Sequence, residues 1–198
     1  MARARKLFPI YGSALANNML AAIERDRVVR RFVVAYANQH DRHGILGGAA
    51  RERELAETIG REVVLAMIVE VRRVLPGFFG KQQRGKLKEK EKESIDGFLR
   101  ELVAALGRAA DWGGEDRRQF RRDLALYSDF GARQQIAVAK PRQGQKASPE
   151  EPPFVGRVAL LLDPSMLDEA RRAARRFHDE VVLLARKLFK QTVNPPRT

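Results

Sequence analysis

The sequence contains no cysteine among its 198 residues. It therefore offers no disulfide, no thiolate nucleophile and no cysteine-based zinc site. Only three histidines and the carboxylates remain as ligands for a metal ion. We expect a protein without metal or cofactor, located in the cytoplasm, where chains without disulfides are common.

Long hydrophobic runs are missing as well. The basic start, Met1 to Lys6, is followed by a short apolar stretch that Pro9 and Gly12 interrupt, so we predict no export signal. The longest later run, 63–69, is far shorter than the roughly 20 residues that a membrane-spanning helix needs. We therefore expect no contact with a membrane.

Catalytic motifs are absent too. The sequence has no phosphate-binding loop, no nucleophile elbow and no dinucleotide fingerprint. The segment 40–43 brings two histidines and an aspartate together, but no further ligand follows at a metal-binding spacing. We therefore predict neither a catalytic nor a metal site.

Arg171 or Arg172 precedes His178 at a spacing that resembles the loose arginine–histidine spacing of the helical ribonucleases of the HEPN class. Ala173 stands where that class has a polar residue. We expect His178 to face solvent and to pair with neighbouring carboxylates. Nuclease activity is a minor alternative.

What the sequence does contain is the apolar periodicity of helices. With 44% hydrophobic and 32% charged residues, the chain is expected to fold. Apolar residues recur every three or four positions. They predict helices at 13–39 with Ser13 as cap, from 49 to a stop at Pro76, at 94–110, at 115–130, and from a cap at Asp163 or Ser165 to about 193. We therefore predict an all-α bundle of about five helices.

The same periodicity predicts the core. In the first two helices its residues are Leu15, Met19, Ile23, Val29, Val33, Tyr36, Leu55, Ile59, Val63, Met67, Val71 and Val74. In the next two they are Ile95, Phe98, Leu102, Leu106, Phe120, Leu124 and Tyr127. The last helix carries a coiled-coil-like seam of Leu167, Ala170, Ala174, Phe177, Val181, Leu184 and Leu188.

A change in composition suggests a division of the chain. Residues 131–153 are rich in glutamine, proline, glycine and basic residues and predict a loop or linker. It would separate a four-helix core, 1–130, from a segment, 154–193, whose long helix packs back on that core. The run 155–162 is too short to distinguish strand from helix, and a strand would pair with 135–139 in a short β-hairpin at about 134–162.

The strongest signal is positive charge. The formal net charge is +13 at pH 7, and arginine outnumbers lysine. The pattern Arg-Arg-x-x-Arg-Arg occurs twice, at 117–122 and at 171–176. Like charges at i and i+4 on a helix cost a few tenths of a kcal/mol per pair unless an anion neutralises them. Because the guanidinium group binds phosphate through two hydrogen bonds, the repeat favours a nucleic acid as partner.

The candidate nucleic-acid-binding residues come from these clusters, from a smaller one in the first helix and from two basic stretches. They are Arg27, Arg30, Arg31, Lys81, Arg84, Lys86, Lys88, Arg117, Arg118, Arg121, Arg122, Arg133, Lys140, Arg142, Lys146, Arg171, Arg172, Arg175 and Arg176. The alternative is an ordinary surface on which nearby carboxylates neutralise the clusters. These carboxylates are Asp116, Asp123, Asp168, Glu169 and Asp179.

Aromatic residues are few, at 7% of the chain. Single-strand binding normally adds aromatic stacking platforms, and most phenylalanines here fall on apolar faces. The aromatic residues that we assign to no apolar helix face are Phe78, Phe79, Trp112 and Phe154. We therefore expect contacts to the backbone rather than base-specific readout.

These features predict a non-catalytic protein that binds the backbone of RNA or DNA. Small basic helical subunits of bacterial nucleoprotein complexes, such as CRISPR-type RNA-guided effectors, are similar in general character. We therefore expect other protein subunits, or further copies of this chain, as additional partners. The alternative is a helical protein–protein adaptor or structural subunit whose arginines meet acidic protein surfaces.

Overall fold

The chain forms a bundle of helices in the computed structural model, which describes residues 9–24, 27–40, 49–78, 89–139 and 151–194. The helices are α1 (Ile10–Glu24), α2 (Val28–Gln39), α3 (Ala49–Phe78), α4 (Glu89–Ala109), α5 (Gly114–Ala139), α6 (Pro153–Leu162) and α7 (Leu167–Val193), with a 3-10 turn at Pro164–Met166. The predicted all-α bundle is confirmed, although the described residues form seven helices rather than about five.

Helix α3 lies at the centre of the bundle. Every residue from Glu62 to Ile68 is buried, so neighbouring elements cover this stretch on all its sides. Helices α2, α5, α6 and α7 pack against α3, whereas α4 packs on α1. None of the described helices has the length and apolar character needed to cross a bilayer.

A single cluster of buried side chains connects the helices, and it contains most of the predicted core. The predicted core residues that are only partly buried are Ile23, Val74, Leu124, Leu167, Leu184 and Leu188. Core residues that the periodicity did not single out include Phe154, Val155 and Val158 of α6. The hydrophobic pattern therefore identified the inner face of each long helix but missed a short one.

The seam on α7 follows the prediction over its first half only. Ala170, Ala174, Phe177 and Val181 are buried, but the buried line then continues in steps of four through Ala185 and Phe189. An unsupercoiled helix has 3.6 residues per turn, so its buried face drifts away from a 3.5-residue repeat. Leu184 and Leu188 therefore pack against the core at the edge of this line and are only partly buried.

The predicted first helix, 13–39, is divided in two. α1 ends at Glu24, α2 begins at Val28, and Arg27 has left-handed backbone angles with φ of 51°. The four polar residues 24–27 separate Ile23 from Val28, and Ile23 and Val29 are six positions apart, which is too far for one continuous stripe. The break lets α1 pack on α4 while α2 packs on α3.

The predicted β-hairpin at about 134–162 is wrong where the chain is described. α5 continues through Ala139, into the segment predicted as a linker, and α6 occupies Pro153–Leu162. In α6 the buried residues recur at helical spacing, and proline occupies the first turn, where its missing N–H costs nothing. The remaining residues of that prediction, 140–150, lie outside the described ranges.

Helix ends differ from the prediction in two further places. Ser13 does not cap a helix, because it lies inside α1 and its hydroxyl donates to Glu101 of α4 over 2.6 Å. Asp163 caps the 3-10 turn that precedes α7, since its carboxylate accepts the backbone N–H of Ser165 at 3.0 Å, whereas α7 itself begins after Met166, which makes no side-chain cap.

Helices α1 and α4 approach each other closely at Gly12. A Cβ on this residue would lie 2.6 Å from the backbone oxygen of Phe98 and 2.8 Å from the backbone nitrogen of Leu102. Only glycine fits here, because these neighbouring atoms belong to a helix backbone that cannot move independently. This contact determines how α4 sits on α1.

We expect Gly12→Ala to destabilise the protein by about 1–3 kcal/mol, the usual cost of inserting a methyl group into a filled contact. Gly77→Ala is a matched control, since nothing lies within 4 Å of its added Cβ. In a helix that change is neutral or stabilising by up to about 1 kcal/mol. Urea unfolding measures both, and equal effects would contradict the proposed contact.

A buried carboxylate joins α3 to α7. Glu70 accepts two hydrogen bonds of 2.8 Å from Arg73 and one of 2.5 Å from Arg186 of α7. Burial alone raises the pKa of Glu70, but the hydrogen bonds from Arg73 and Arg186 outweigh it and hold this pKa below its usual value. The charged form of Glu70 therefore stabilises the fold.

The expected cost of Glu70→Gln is about 2 kcal/mol at pH 7, the order of a hydrogen bond to a charged group. Because the pKa of Glu70 is lowered in the folded protein, its contribution is complete above the unfolded pKa of about 4.3 and disappears as pH falls through the folded pKa. Urea unfolding between pH 7 and pH 3 tests this. A cost that persists unchanged at the acid end would contradict it.

Candidate functional site

A groove of about 760 Å³ lies between α4 and α5, and α3 contributes to its lining. It opens because α4 packs on α1 while α5 packs on α3, so the two consecutive helices diverge. The apolar part of its lining includes Leu99, Val103, Phe120 and Leu124. The groove therefore combines an apolar floor with room for a ligand.

Five arginines line this groove: Arg72 of α3, Arg100 and Arg108 of α4, and Arg117 and Arg121 of α5. We call it the arginine groove. Among the described residues that line it, none is an aspartate or a glutamate. The surface of the groove is therefore strongly electropositive.

Helical periodicity places these arginines on the walls. On α4, Arg100 and Arg108 are two turns apart and flank the groove-facing Val103. On α5, Arg117 and Arg121 are one turn apart, on the side that also carries Leu124. Two of the predicted site residues thus face residues of α4 across the groove.

Most of the groove arginines lack a carboxylate partner. Arg108 pairs with Glu101 at 2.5 Å. Arg72 donates to the Ser128 hydroxyl at 3.4 Å, and Arg100 donates to a backbone oxygen. Arg117 and Arg121 form no ion pair with any described residue. Four of the five guanidinium charges are therefore not neutralised within the described part of the chain.

The carboxylates expected to neutralise the α5 arginines serve other contacts. Asp116 accepts the backbone N–H of Gly113 at 3.3 Å and so caps the start of α5. Asp123 is buried and faces Arg157 of α6 at 2.9 Å. Glu115, which was not among the expected carboxylates, pairs with Arg118 instead. Local pairing thus neutralises the charge of only one of the four arginines of this motif, Arg118.

Trp112 lines one end of the groove, and the end of α4 fixes its position. Asp111 has left-handed backbone angles, with φ of 48°. The N–H of Trp112 donates to the carbonyl of Gly107 at 3.0 Å, and that of Asp111 donates to Arg108 at 3.3 Å. These two bonds are the Schellman arrangement, which brings the residue after the cap back onto the helix.

The tryptophan ring rests on two neighbours. Its centroid lies 4.3 Å from that of Phe120, and a Cβ on Gly107 would be 3.3 Å from its Cε3 and 3.8 Å from Nε of Arg117. Trp112 is only half-buried. It therefore presents aromatic surface beside the guanidinium group of Arg117.

The second arginine motif, on α7, has a different environment. Glu151 pairs with Arg171 at 3.4 Å and with Arg175 at 3.1 Å, and Glu169 pairs with Arg172 at 2.8 Å. Arg176 is exposed, and no described carboxylate pairs with it. None of the four lines the arginine groove. The two motifs therefore do not share one cavity.

The predicted arginines of α2 lie on other surfaces. A second cavity, of about 560 Å³, is lined by Trp112, Arg27 and Arg30 among others. A third and shallower one, of about 520 Å³, has Arg27, Arg30 and Arg31 in its lining. Arg30 also pairs with Glu52, whereas Arg27 and Arg31 have no carboxylate partner among the described residues.

The remaining predicted site residues cannot be placed. Residues Lys81, Arg84, Lys86, Lys88, Lys140, Arg142 and Lys146 lie outside the described ranges. Arg133 belongs to α5, but its side chain is not described.

Two of the aromatic residues that the sequence left without an assigned role, Phe78 and Phe154, pack against other aromatic rings. Phe154 is fully buried, and Phe78 packs edge-on against Phe189 with ring centroids 6.1 Å apart. Phe79 lies outside the described ranges.

His178 does not face solvent freely, because its side chain is 22% exposed and its ring lies 5.3 Å from that of Phe154. Burial lowers the pKa of His178, and the nearby Asp179 offsets this only in part.

The segment 40–43 is described only at its first residue. The His40 ring lies 4.6 Å from that of Tyr36, and the other three residues are outside the described ranges. Among the described residues no group of three or more histidines and carboxylates is arranged to hold a metal ion.

A second dense group of charges lies inside the bundle, between α3, α5 and α6. Arg157 donates to Glu62 at 3.2 Å and to Asp123 at 2.9 Å, and Tyr127 donates its hydroxyl to Glu62. Arg61 adds a longer pairing with Asp123, at 3.7 Å. We call these five residues the ion cluster.

The ion cluster joins three helices, and both of its carboxylates already have partners within it. Burial, followed by the negative charge of Glu62, raises the pKa of the Tyr127 phenol, so Tyr127 stays protonated and donates. Both carboxylates are occupied by arginines, and each is less than one-tenth exposed. The cluster therefore fixes α5 and α6 on α3 rather than serving as an acid–base pair.

Replacing Arg157 by methionine would leave two buried carboxylates without their main counter-ion. We expect a loss of about 3 kcal/mol, the order found when one partner of a buried ion pair is removed. Arg176→Met is the control, because Arg176 has no described partner and its change should stay within about 0.5 kcal/mol. Equal unfolding midpoints for the two variants would show that the ion cluster does not stabilise the fold.

Sequence reasoning missed part of the groove. Arg100 and Arg108 are separate in sequence and form no cluster, and Arg72 has a single basic neighbour, Arg73. A usable signal was present on α4, where Leu99 and Val103 extend the apolar surface beyond the predicted core stripe. Arginines flanking such an additional apolar strip indicate a groove wall.

Comparison with known proteins gives no further guide to these residues. The chain matches no protein-family model, no curated protein and no solved structure.

Proposed function

We propose that the protein binds the phosphate backbone of a nucleic acid in the arginine groove, without catalysing a reaction. One observation carries this proposal: five arginines line one groove, no described carboxylate lines it, and among the described residues only Arg108 finds a carboxylate partner. Phosphate oxygens would supply the missing acceptors through charge-assisted hydrogen bonds.

Electrostatic energy supports a polyanionic partner. Like charges one turn apart on a helix, such as Arg117 and Arg121, repel each other by a few tenths of a kcal/mol. A phosphate between them converts this repulsion into attraction. The arginines of α4, α5 and α3 are already gathered by the fold, so binding does not have to assemble them. A strand that offers one phosphate per nucleotide matches several arginines at once.

The other predicted residues have unequal roles in this proposal. The α7 motif contributes less, because Glu151 and Glu169 neutralise three of its four arginines. Arg27 and Arg31 are exposed without a described carboxylate partner and extend the basic surface. The basic stretches 81–88 and 140–146 would add non-specific affinity.

We also propose that the chain works as a subunit of a larger nucleoprotein complex in the cytoplasm. Its net charge of +13 and its size of 198 residues support this role. The comparison with CRISPR-type effector subunits stays at the level of general character. Other protein subunits or further copies of the chain would then be its neighbours.

The alternative is a protein–protein adaptor, and the apolar floor of the groove favours it. An acidic amphipathic helix could place leucines on Val103 and Leu124 and carboxylates on the arginines of the walls. Such a partner would leave the protein without affinity for nucleic acids.

Binding of labelled single- and double-stranded RNA and DNA at about 50 and 200 mM salt tests the proposal. We expect Arg117→Glu with Arg121→Glu to lower the affinity at least tenfold. We also expect the salt slope to fall by about two, because two phosphate contacts are lost. Fluorescence anisotropy measures both quantities.

Arg172→Glu with Arg176→Glu is the matched control, since it changes two arginines one turn apart by the same charge, outside the groove. We expect a smaller effect on the affinity. Equal losses for the two double variants would mean that overall charge, and not the groove, governs binding. Undetectable binding of all four nucleic acids would leave the adaptor as the better explanation.

A further inference from the structure

The arginine groove does not end at Trp112. Trp112 lines the arginine groove and also the second cavity, whose lining holds four arginines, Arg27 and Arg53 among them, and two glutamates, Glu24 and Glu57. Arg27 in turn borders the third cavity, beside Arg31. Shared lining residues thus make the three cavities neighbours in one series, in which arginines outnumber acidic residues, and we call this series the arginine track.

The track is built by the first five helices. Its first part lies between α4 and α5, its second between α1, α2 and α3, and its third on α2. No residue of α7 lines any of the three cavities. The track therefore links two arginines of the predicted α5 motif, Arg117 and Arg121, with the predicted arginines 27, 30 and 31.

We propose that the arginine track takes an unpaired nucleic-acid strand, with one base stacked on Trp112 at the point where the groove meets the second cavity. This inference rests on the proposed function, because it names the form of nucleic acid that the same site binds.

The floor of the groove favours an unpaired strand over a duplex. A duplex presents phosphates and sugars outward and keeps its base faces stacked inside. Such a ligand would cover Leu99, Val103 and Leu124 with charged groups that gain nothing from an apolar surface. An unpaired strand can turn its bases onto this floor while its phosphates meet the arginines of the walls.

Trp112 has the surroundings of a stacking platform. Its ring is held from below by Phe120 and by the turn of the Schellman cap, so it does not need to be ordered on binding. It is half-buried and lies next to the guanidinium group of Arg117. A base on its exposed surface would therefore have a phosphate partner within reach.

Trp112 is the only tryptophan of the chain, so its fluorescence reports on this position alone. The experiment titrates the full chain with a single strand of about 16 nucleotides, within the range of known single-strand site sizes, and with the blunt duplex of that length. We expect the single strand to bind more tightly and to quench Trp112 emission. The duplex should leave the emission unchanged.

Two variants separate stacking from folding. Trp112→Leu keeps apolar bulk on Phe120 but removes the ring, and we expect a loss of about 5- to 100-fold in affinity for the single strand alone. Trp112→Phe retains a ring and should retain most of the affinity. Thermal unfolding checks both variants. If Trp112→Leu does not fold, quenching in the unchanged protein still decides the matter.

The results distinguish this inference from the function on which it rests. Equal binding of strand and duplex, with unchanged Trp112 emission, overturns the inference and leaves backbone binding intact. Absence of binding to both ligands overturns the two together.

The extent of the track has its own test. Arg31→Glu with Arg53→Glu changes one residue in the third and one in the second cavity, both exposed and away from the groove. If the strand follows the whole track, its salt slope falls by about two. An unchanged slope would limit the site to the arginine groove.

Discussion

The fold depends on carboxylates that are buried between its helices. Glu62 and Asp123 bind Arg157 in the ion cluster, and Glu70 binds Arg73 and Arg186 between α3 and α7. With 25 acidic and 38 basic residues, the chain has too few carboxylates to pair with every basic side chain. Each acid that joins two helices is no longer available to the surface, so the burial of Asp123 also helps to leave the α5 arginines without a counter-ion.

The shape of the site follows from a second constraint, the contact between α1 and α4. Gly12 allows the two backbones to meet, and α4 therefore rests on α1 instead of on α5. The short turn at Asp111 then starts α5 in another direction, toward α3. The groove is the space between these two packings, and the same turn places Trp112 at its end.

The sequence was sufficient for the helical class and for most of the core, because Leu55, Ile59, Val63 and Met67 repeat at helical spacing and are all buried. It was not sufficient for α6, whose ten residues are too few for periodicity to distinguish a helix from a strand. The break after α1 depends on a left-handed residue, Arg27, that carries no glycine or asparagine signal. Of the groove, the arginines of α5 could be predicted, whereas those of α4 become neighbours only through the packing.

The two copies of Arg-Arg-x-x-Arg-Arg show why a motif alone does not define a site. Both lie on exposed helix faces, yet Glu151, which precedes α6, neutralises Arg171 and Arg175 on α7. On α5 the corresponding acid, Asp123, is turned into the ion cluster. The repeat on α7 is thus paired by Glu151, from another part of the chain, and by Glu169, whereas on α5 only Arg118 is paired among the described residues. The copy on α5 also differs in its surroundings, because it borders the arginine groove. There an apolar floor and arginines from α3 and α4 lie beside Arg117 and Arg121 and form a concave binding surface.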